Sequence, residues 1–261
     1  MNILDKIVAH KREEIDVRKG MVTEAELMTS KYFDRTCYSL TQKLTEPGAT
    51  GIIAEFKRKS PSKGFINQFA DVEKITAAYT KYGACGLSVL TDNNFFGGNT
   101  NDLVLARQNQ IPILRKDFIL DPYQVMAAKA MGADVILLIA ACLNINEVKF
   151  LAAYAKELNL EVILELHEEN ELGHICESVD MVGINNRNLK TFKVDINRSL
   201  KLAEQIPADK VKIAESGINS TDTILLFKDA GYKGFLIGEN FMKEKDPGEA
   251  FKIFAEQLRH S

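Results

Sequence analysis

Pro112–Ala140, PILRKDFILDPYQVMAAKAMGADVILLIA, contains one complete structural unit. Two apolar runs, Pro112–Asp117 and Val135–Ala140, flank a stretch of helical period. That stretch opens at Asp121, has Pro122 at a first helical position and Gly132 near its stop. Proline at the first helical position loses no hydrogen bond, and glycine ends a helix without a steric penalty. The flanking runs are of strand length and apolar on both faces, as parallel strands covered on both sides must be. The segment reads as strand–helix–strand with its two strands parallel.

The same rhythm recurs in both directions. Upstream lie Ile52–Lys57 (IIAEFK) and Gly86–Asp92 (GLSVLTD). Downstream lie Glu161–Leu166 (EVILEL), Met181–Asn186 (MVGINN), Lys210–Ser216 (KVKIAES) and Gly234–Glu239 (GFLIGE). Between them Asn146 opens NEVKFLAAYAKELN, and Asn219 opens NSTDTILLFKDAG with Gly231 past its end. Eight such βα units in 261 residues fit an α/β chain folded as a (β/α)8 TIM barrel. A doubly wound open sheet usually has fewer strands and a glycine-rich first turn, and no GxGxxG follows the first run. Residues 1–50 precede the barrel of residues 51–261 as an N-terminal helical extension: a helix over about Ile3–Lys19, a shorter one, and a connector through Pro47 and Gly48. It is expected to cap one barrel end or to cross the active-site mouth. No second domain or low-complexity linker is visible.

Composition narrows the function. Hydrophobic residues make up 46% and charged residues 26% of the chain, the balance of an ordinary globular protein. A net charge of −3 provides no basic field for nucleic acid, so an anionic ligand must be held by local groups. No apolar run approaches the span of a bilayer, so no membrane partner is expected. The charged N-terminus, MNILDKIVAHKREEID, is not a signal peptide. Cys37, Cys85, Cys142 and Cys176 are scattered with no CxxC pair, which suggests a reducing, cytoplasmic setting and neither zinc nor any other metal.

In a barrel of this kind, reactive groups sit at the C-terminal strand ends. There the chain places Glu55 and Lys57, two residues apart and roughly 7 Å along one strand face. It also places Lys116 between Arg115 and Asp117, Glu165, then Asn185, Asn186 and Arg187, then Glu215, Ser216 and Gly217. Alternation puts Glu165 on the face of Ile163, and Asn185 on that of Gly183. One Glu–Lys pair could simply plug a barrel, but so many convergent polar groups read as a reaction site. The SGI segment after the seventh run and the GEN segment after the eighth stand where phosphate-binding barrels offer backbone N–H groups to an anion. His167 follows Glu165 by two residues and could face the mouth, but a lone histidine is more often a rim residue, and His10, His174 and His260 read as surface. Phe95 and Phe96, with Gly97 and Gly98, are either turn packing or an apolar wall for an aromatic ring.

At these positions the chain resembles the indole-3-glycerol phosphate synthase family. The resemblance rests on IIAEFKRKSPSKG, SVLTDNNFFGG, PILRKDFILDPYQV, ILELHEENEL, VGINNRNL, IAESGI and GFLIGENFM, in order over about Ile52–Met242, and on ILDKIVAHKREEI in the extension. It implies a cofactor-free carboxy-lyase of tryptophan biosynthesis. The substrate would be the sugar phosphate 1-(2-carboxyphenylamino)-1-deoxyribulose 5-phosphate, closed to indole-3-glycerol phosphate with loss of carbon dioxide and water. By the same resemblance Lys116 is the general acid and Glu165 its acid/base partner. Glu55 orients the substrate hydroxyls or Lys116, Lys57 pairs with the anthranilate carboxylate, and Asn185 binds the reacting oxygens. Ser216, Gly217, Gly238 and Glu239 match the phosphate site, Glu239 through its backbone N–H only. Arg187 and Ser60 steady the substrate or the loop, Glu215 belongs to the substrate site, and Phe96 and Phe118 line the aromatic pocket. Lys116, placed among other cations and partly desolvated, is expected to have a lowered pKa. The basic KRKSPSKGFIN loop is expected to act as a mobile lid. Two features depart from expectation: Asn99 replaces a frequent serine, and Glu239 brings a carboxylate toward the phosphate. A Schiff base on Lys116 and a non-catalytic sugar-phosphate-binding subunit are the alternatives. The sequence does not give the oligomeric state and leaves a monomer open.

Overall fold

The computed structural model describes residues 3–188 and 193–260. Leu189, which ends the VGINNRNL segment, lies outside them. The extension forms α1 (Ile3–Met21), α2 (Glu24–Met28) and α3 (Leu40–Thr45). The eight apolar runs become β1 (Ile52–Phe56), β2 (Gly86–Leu90), β3 (Ile113–Lys116), β4 (Val135–Ile139), β5 (Glu161–Leu166), β6 (Met181–Asn185), β7 (Val211–Glu215) and β8 (Gly234–Ile237). Neighbours in sequence pair in parallel, and β8 pairs with β1. The cylinder is closed, so the fold is the (β/α)8 barrel and the open sheet is excluded.

The covering helices are α4 (Val72–Lys81), α5 (Thr100–Ala106), α6 (Pro122–Met131), α7 (Ile145–Glu157), α8 (Ile196–Ala203), α9 (Thr221–Asp229), the short α10 (Glu239–Met242) and α11 (Pro247–His260). After β5 a 3-10 turn, Glu169–His174, stands in place of an α-helix. Two helix starts differ from expectation. Asn144, not Asn146, caps α7: its side chain accepts from the N–H groups of Asn146 and Glu147, while Glu147 closes the capping box. Ser220, not Asn219, caps α9. In both places two residues suited to capping lie close together, and the propensity of each does not say which one the chain will use.

The strands read as unbroken apolar runs because both of their faces are covered. Outward residues such as Val89, Leu138, Val162 and Val182 pack with the helices, whereas Ile53, Leu114, Leu137, Ile163, Ile213 and Leu236 fill the cylinder. A step of two residues along a strand keeps the same face and climbs about 6.6 Å toward the C-terminal end. That step leads from Ile53 to Glu55, from Leu114 to Lys116, from Ile163 to Glu165 and from Ile213 to Glu215. The apolar interior therefore carries a charged layer on top of it.

The extension covers both barrel ends. At the N-terminal end Leu40 and Leu44 of α3 join the internal cluster. Glu161 of β5 holds this plug, accepting from Ser39 Oγ at 2.6 Å and from the N–H groups of Leu40 and Thr41 at 2.7 and 3.1 Å. A carboxylate there satisfies helix N-terminal donors that would otherwise lack partners. At the opposite end α1 crosses the mouth, where Ile3, Leu4 and Ile7 line a cavity. Lys11 pins α1 in place: its ammonium lies 2.9 Å from Asp92 and 3.0 Å from Asp117, all three side chains being 1% exposed. Asp92 in turn accepts from the N–H groups of Phe95 and Phe96 and shapes the turn after β2. Removing one partner from a buried ion cluster leaves uncompensated charge, at a cost of about 3–5 kcal/mol. Lys11→Met should therefore lower the stability measured by urea denaturation by about 3 kcal/mol. An unchanged midpoint would mean that Arg115, 2.9 Å from Asp117, suffices alone.

Candidate active site

Every residue assigned above to catalysis or substrate binding lines one cavity of about 330 Å³ at the C-terminal strand ends, under α1. Its charged centre is Lys116, whose Nζ lies 3.1 Å from Glu165 Oε2 and 3.6 Å from Glu215 Oε2. Asn185 Nδ2 donates to Glu165 Oε1 at 2.9 Å. Across the mouth Lys57 pairs with Glu55 at 2.6 Å.

Two glycines make room for these carboxylates. A Cβ on Gly183 would come within 2.3 Å of Glu215 Oε1, and one on Gly238 within 2.6 Å of Glu55 Oε1. Gly238 therefore seats a charged side chain as well as flanking the GEN loop. After β7 the backbone turns through two successive left-handed residues, Ser216 at φ 67° and Gly217 at φ 73°. Serine pays for this conformation where glycine does not. The buried Asn186 fastens the turn by donating from its side-chain amide to the Ser216 carbonyl at 2.7 Å.

The electrostatics of Lys116 correct one expectation. Burial alone would push its pKa down, but Glu165, Glu215 and Glu55 reverse this and hold it above the ordinary lysine range. The cation adjacent in sequence is not adjacent in space: Arg115 points outward, donating to the carbonyl of Gln124 and to Asp117. Glu165 is pushed up by burial but drawn well below the usual carboxylate range, first by Lys116, then by His167 and Asn185. Glu215 moves the other way. Burial, then Glu165 and Glu55, raise it from 4.5 to about 8 against the pull of Lys116. The three groups therefore diverge: Lys116 and Glu165 are held toward their charged forms, and Glu215 is pushed toward its neutral form.

A raised folded-state pKa means that folding takes up a proton between those two values. The stability Glu215 contributes is full below about pH 4.5 and is lost as pH rises through about 8. Glu215→Gln does not titrate. Urea midpoints of the wild type should therefore fall more steeply from pH 5 to pH 8 than those of the variant, by up to about 1.4 kcal/mol per pH unit. Parallel profiles would show that Glu215 is ionised throughout.

The remaining walls divide by chemistry. Phe96 and Phe118 stand 6.0 Å apart between centroids and, with Ile3, Leu4 and Ile7, form an apolar side. Ser60 lies on the loop after β1, buried and with its hydroxyl unpartnered. That loop folds into a two-residue hairpin, Lys59–Ser60 against Gly64–Phe65, and spans the mouth: Lys59 Nζ donates to the Asn94 carbonyl, and Lys63 pairs with Glu239. Arg187 also approaches Glu239, at 3.9 Å. The Glu239 carboxylate thus faces cations, which offset its repulsion of an anion.

His167 departs from expectation. It is 4% exposed and lines the cavity, with Nε2 3.1 Å from Glu165 Oε1. Strand alternation from Ile163 through Glu165 already places it on the inner face, which was the available signal. Lys11 and Asn186 were not legible as supports of the site, because their partners come from distant segments.

Comparison with known proteins decides the family. A model of the indole-3-glycerol phosphate synthase family matches residues 4–254. The chain belongs to the indole-3-glycerol phosphate synthase family. It is 46% identical to the indole-3-glycerol phosphate synthase of Bacteroides thetaiotaomicron, with 99% of each chain covered. It is 40% identical to that of Bordetella pertussis over 95% of this chain and 96% of the other. Among solved structures, tryptophan synthase subunit alpha from Legionella pneumophila superposes with a TM-score of 0.60 at 14% identity, covering 85% of this chain and 95% of the other. The 3-hexulose-6-phosphate synthase of Salmonella typhimurium does so with a TM-score of 0.64 at 11% identity, covering 80% and 99%. These two share the fold. As a member of the indole-3-glycerol phosphate synthase family, the chain is a carboxy-lyase of tryptophan biosynthesis acting on a small phosphorylated substrate, and none of its described helices is long and apolar enough to cross a membrane.

Proposed function

We propose that Lys116 and Glu165 perform the acid–base work of closing 1-(2-carboxyphenylamino)-1-deoxyribulose 5-phosphate to indole-3-glycerol phosphate. The observation that carries this is the 3.1 Å pair of Lys116 and Glu165, set between an apolar wall and the paired SG and GE loops. Phe96 and Phe118 take the anthranilate ring, and Lys57 takes its carboxylate. The phosphate lies against Ser216, Gly217, Gly238 and the N–H of Glu239, with Arg187 and Ser60 beside it.

As the ring carbon bearing the carboxylate attacks the ribulose carbonyl, a C–C bond forms and the oxygen becomes an alkoxide. Lys116 protonates that oxygen. Its raised pKa suits the task, because an alkoxide is a far stronger base than an amine and proton transfer runs downhill only as the charge develops. Carbon dioxide then leaves, and its bonding electrons restore the aromatic ring. In the last step the hydroxyl departs as water with a proton from a lysine, while Glu165 takes a proton from the neighbouring methylene carbon. Asn185 and Glu215 hold the oxygens, and Glu55 keeps Lys57 in place. An ammonium so firmly protonated is a poor nucleophile, which disfavours a Schiff base.

Extension and barrel work as one catalytic domain, in the cytoplasm, and a single chain supplies every group named. The loop after β1 opens and closes as a lid that excludes water. Incubating the purified chain with the substrate, without metal, should produce indole fluorescence. Binding without fluorescence would favour a non-catalytic sugar-phosphate-binding subunit.

A further inference from the structure

Two groups hold Glu165: Lys116 on Oε2 and Asn185, which donates to Oε1 at 2.9 Å. His167 Nε2 stands 3.1 Å from Oε1 without the alignment of a hydrogen bond. The imidazole is itself enclosed. Its far nitrogen, Nδ1, lies 4.0 Å from Glu171 Oε2, and that oxygen is fixed by the backbone N–H groups of His167 at 2.6 Å and Glu168 at 3.2 Å. Neither ring nitrogen has a well-aligned hydrogen bond, although the residue is 4% exposed. A buried imidazole left loose between two carboxylates has a use still to be met, and apo contacts in active sites often tighten only when substrate binds.

We propose that His167 is a positioning residue for Glu165, the middle of a Glu171–His167–Glu165 row that commits Glu165 Oε1 to fixed donors and leaves Oε2 as the oxygen that exchanges protons. The need arises during turnover. When Lys116 gives up its proton, its hold on Oε2 weakens, and Asn185 and His167 keep the carboxylate aimed at the methylene proton. Glu171 backs the ring on its Nδ1 side while Nε2 faces Glu165. The 3-10 turn that replaces a helix after β5 brings Glu171 back to this position. This inference rests on the assignment of Glu165 as the acid/base partner.

The test compares asparagine and glutamine at position 167. The glutamine amide nitrogen reaches about as far as Nε2, while that of asparagine reaches only to the place of Nδ1. His167→Asn should lower kcat about tenfold with KM within about twofold, because misaimed reacting groups cost rate rather than binding. His167→Gln should recover most of the loss, and added imidazole should restore part of the activity of His167→Ala. Unchanged kcat in His167→Asn overturns the proposal, as do equal losses in the asparagine and glutamine variants with KM raised alike. The chain has four histidines, so nitrogen NMR of the wild type resolves the His167 ring without relying on a variant of that residue. Its Nε2 signal should shift in Glu165→Gln, and an insensitive ring overturns the row. Glu165→Gln also separates the two layers of inference. If it turns over normally, the role of Glu165 falls and that of His167 with it. If it is inactive while His167→Asn runs at full rate, only the role of His167 falls.

Discussion

Lys116→Ala should lower kcat about a thousandfold, with a much smaller change in KM. On the proposed mechanism the truncation removes the proton donor to the forming alkoxide, and it also removes the cation that lies between Glu165 and Glu215. Without it, Glu165 loses the strongest influence holding its pKa down, so its pKa rises, and its Oε2 loses the 3.1 Å contact that fixes it. Lys116→Arg separates the two effects. A guanidinium restores positive charge but does not release its proton, so this variant should stay nearly as slow as alanine while regaining stability to urea. Single-turnover fluorescence measures the chemical step directly. An arginine variant near the wild-type rate would show that charge alone is required and that the proton comes from elsewhere.

Glu165→Gln is expected to cost on the order of a hundredfold in kcat. Glutamine keeps the size and one hydrogen-bonding oxygen but cannot accept the methylene proton. It also removes the carboxylate foremost in raising the Lys116 pKa. The sign of that change is fixed: with one negative neighbour fewer, Lys116 loses its proton at lower pH. Residual activity of the variant should therefore fall off on the alkaline side earlier than that of the wild type. If the variant kept its alkaline limit, Glu215 and Glu55 would be the groups that hold the lysine proton.

The sequence made the barrel legible because each strand is apolar on both faces and each helix is punctuated by caps, prolines and glycines. The charged layer above the barrel interior was legible for a related reason: Glu55, Lys116, Glu165 and Glu215 are charged residues at positions where an inward-facing strand should remain apolar. The charge environment of Lys116 was not. Arg115 and Asp117 flank it in the chain but point to the other side of the sheet, so neighbours in sequence misreport neighbours in space. His167 was hidden by its type, since an isolated histidine at a strand end is more often exposed, and Glu171 returns to it only through an irregular turn. Lys11 was hidden by its setting in a helix full of charges, most of which do face solvent.

The extension precedes the barrel in the chain, and its partners are spread along the strands that follow. As the chain leaves the ribosome, Ser39 has no Glu161 to receive it until 122 further residues have been added, and Leu44 packs near Gly234 of the final strand. Lys11 likewise waits for Asp92 and Asp117. The plug of α3 therefore needs the fifth and eighth strands, whereas the clasp of α1 needs only the ends of the second and third. A leading segment rich in charge can wait in water without aggregating. Order of synthesis therefore brings α1 within reach of its clasp after three strands, but leaves the opposite end unplugged until the fifth and eighth have been made.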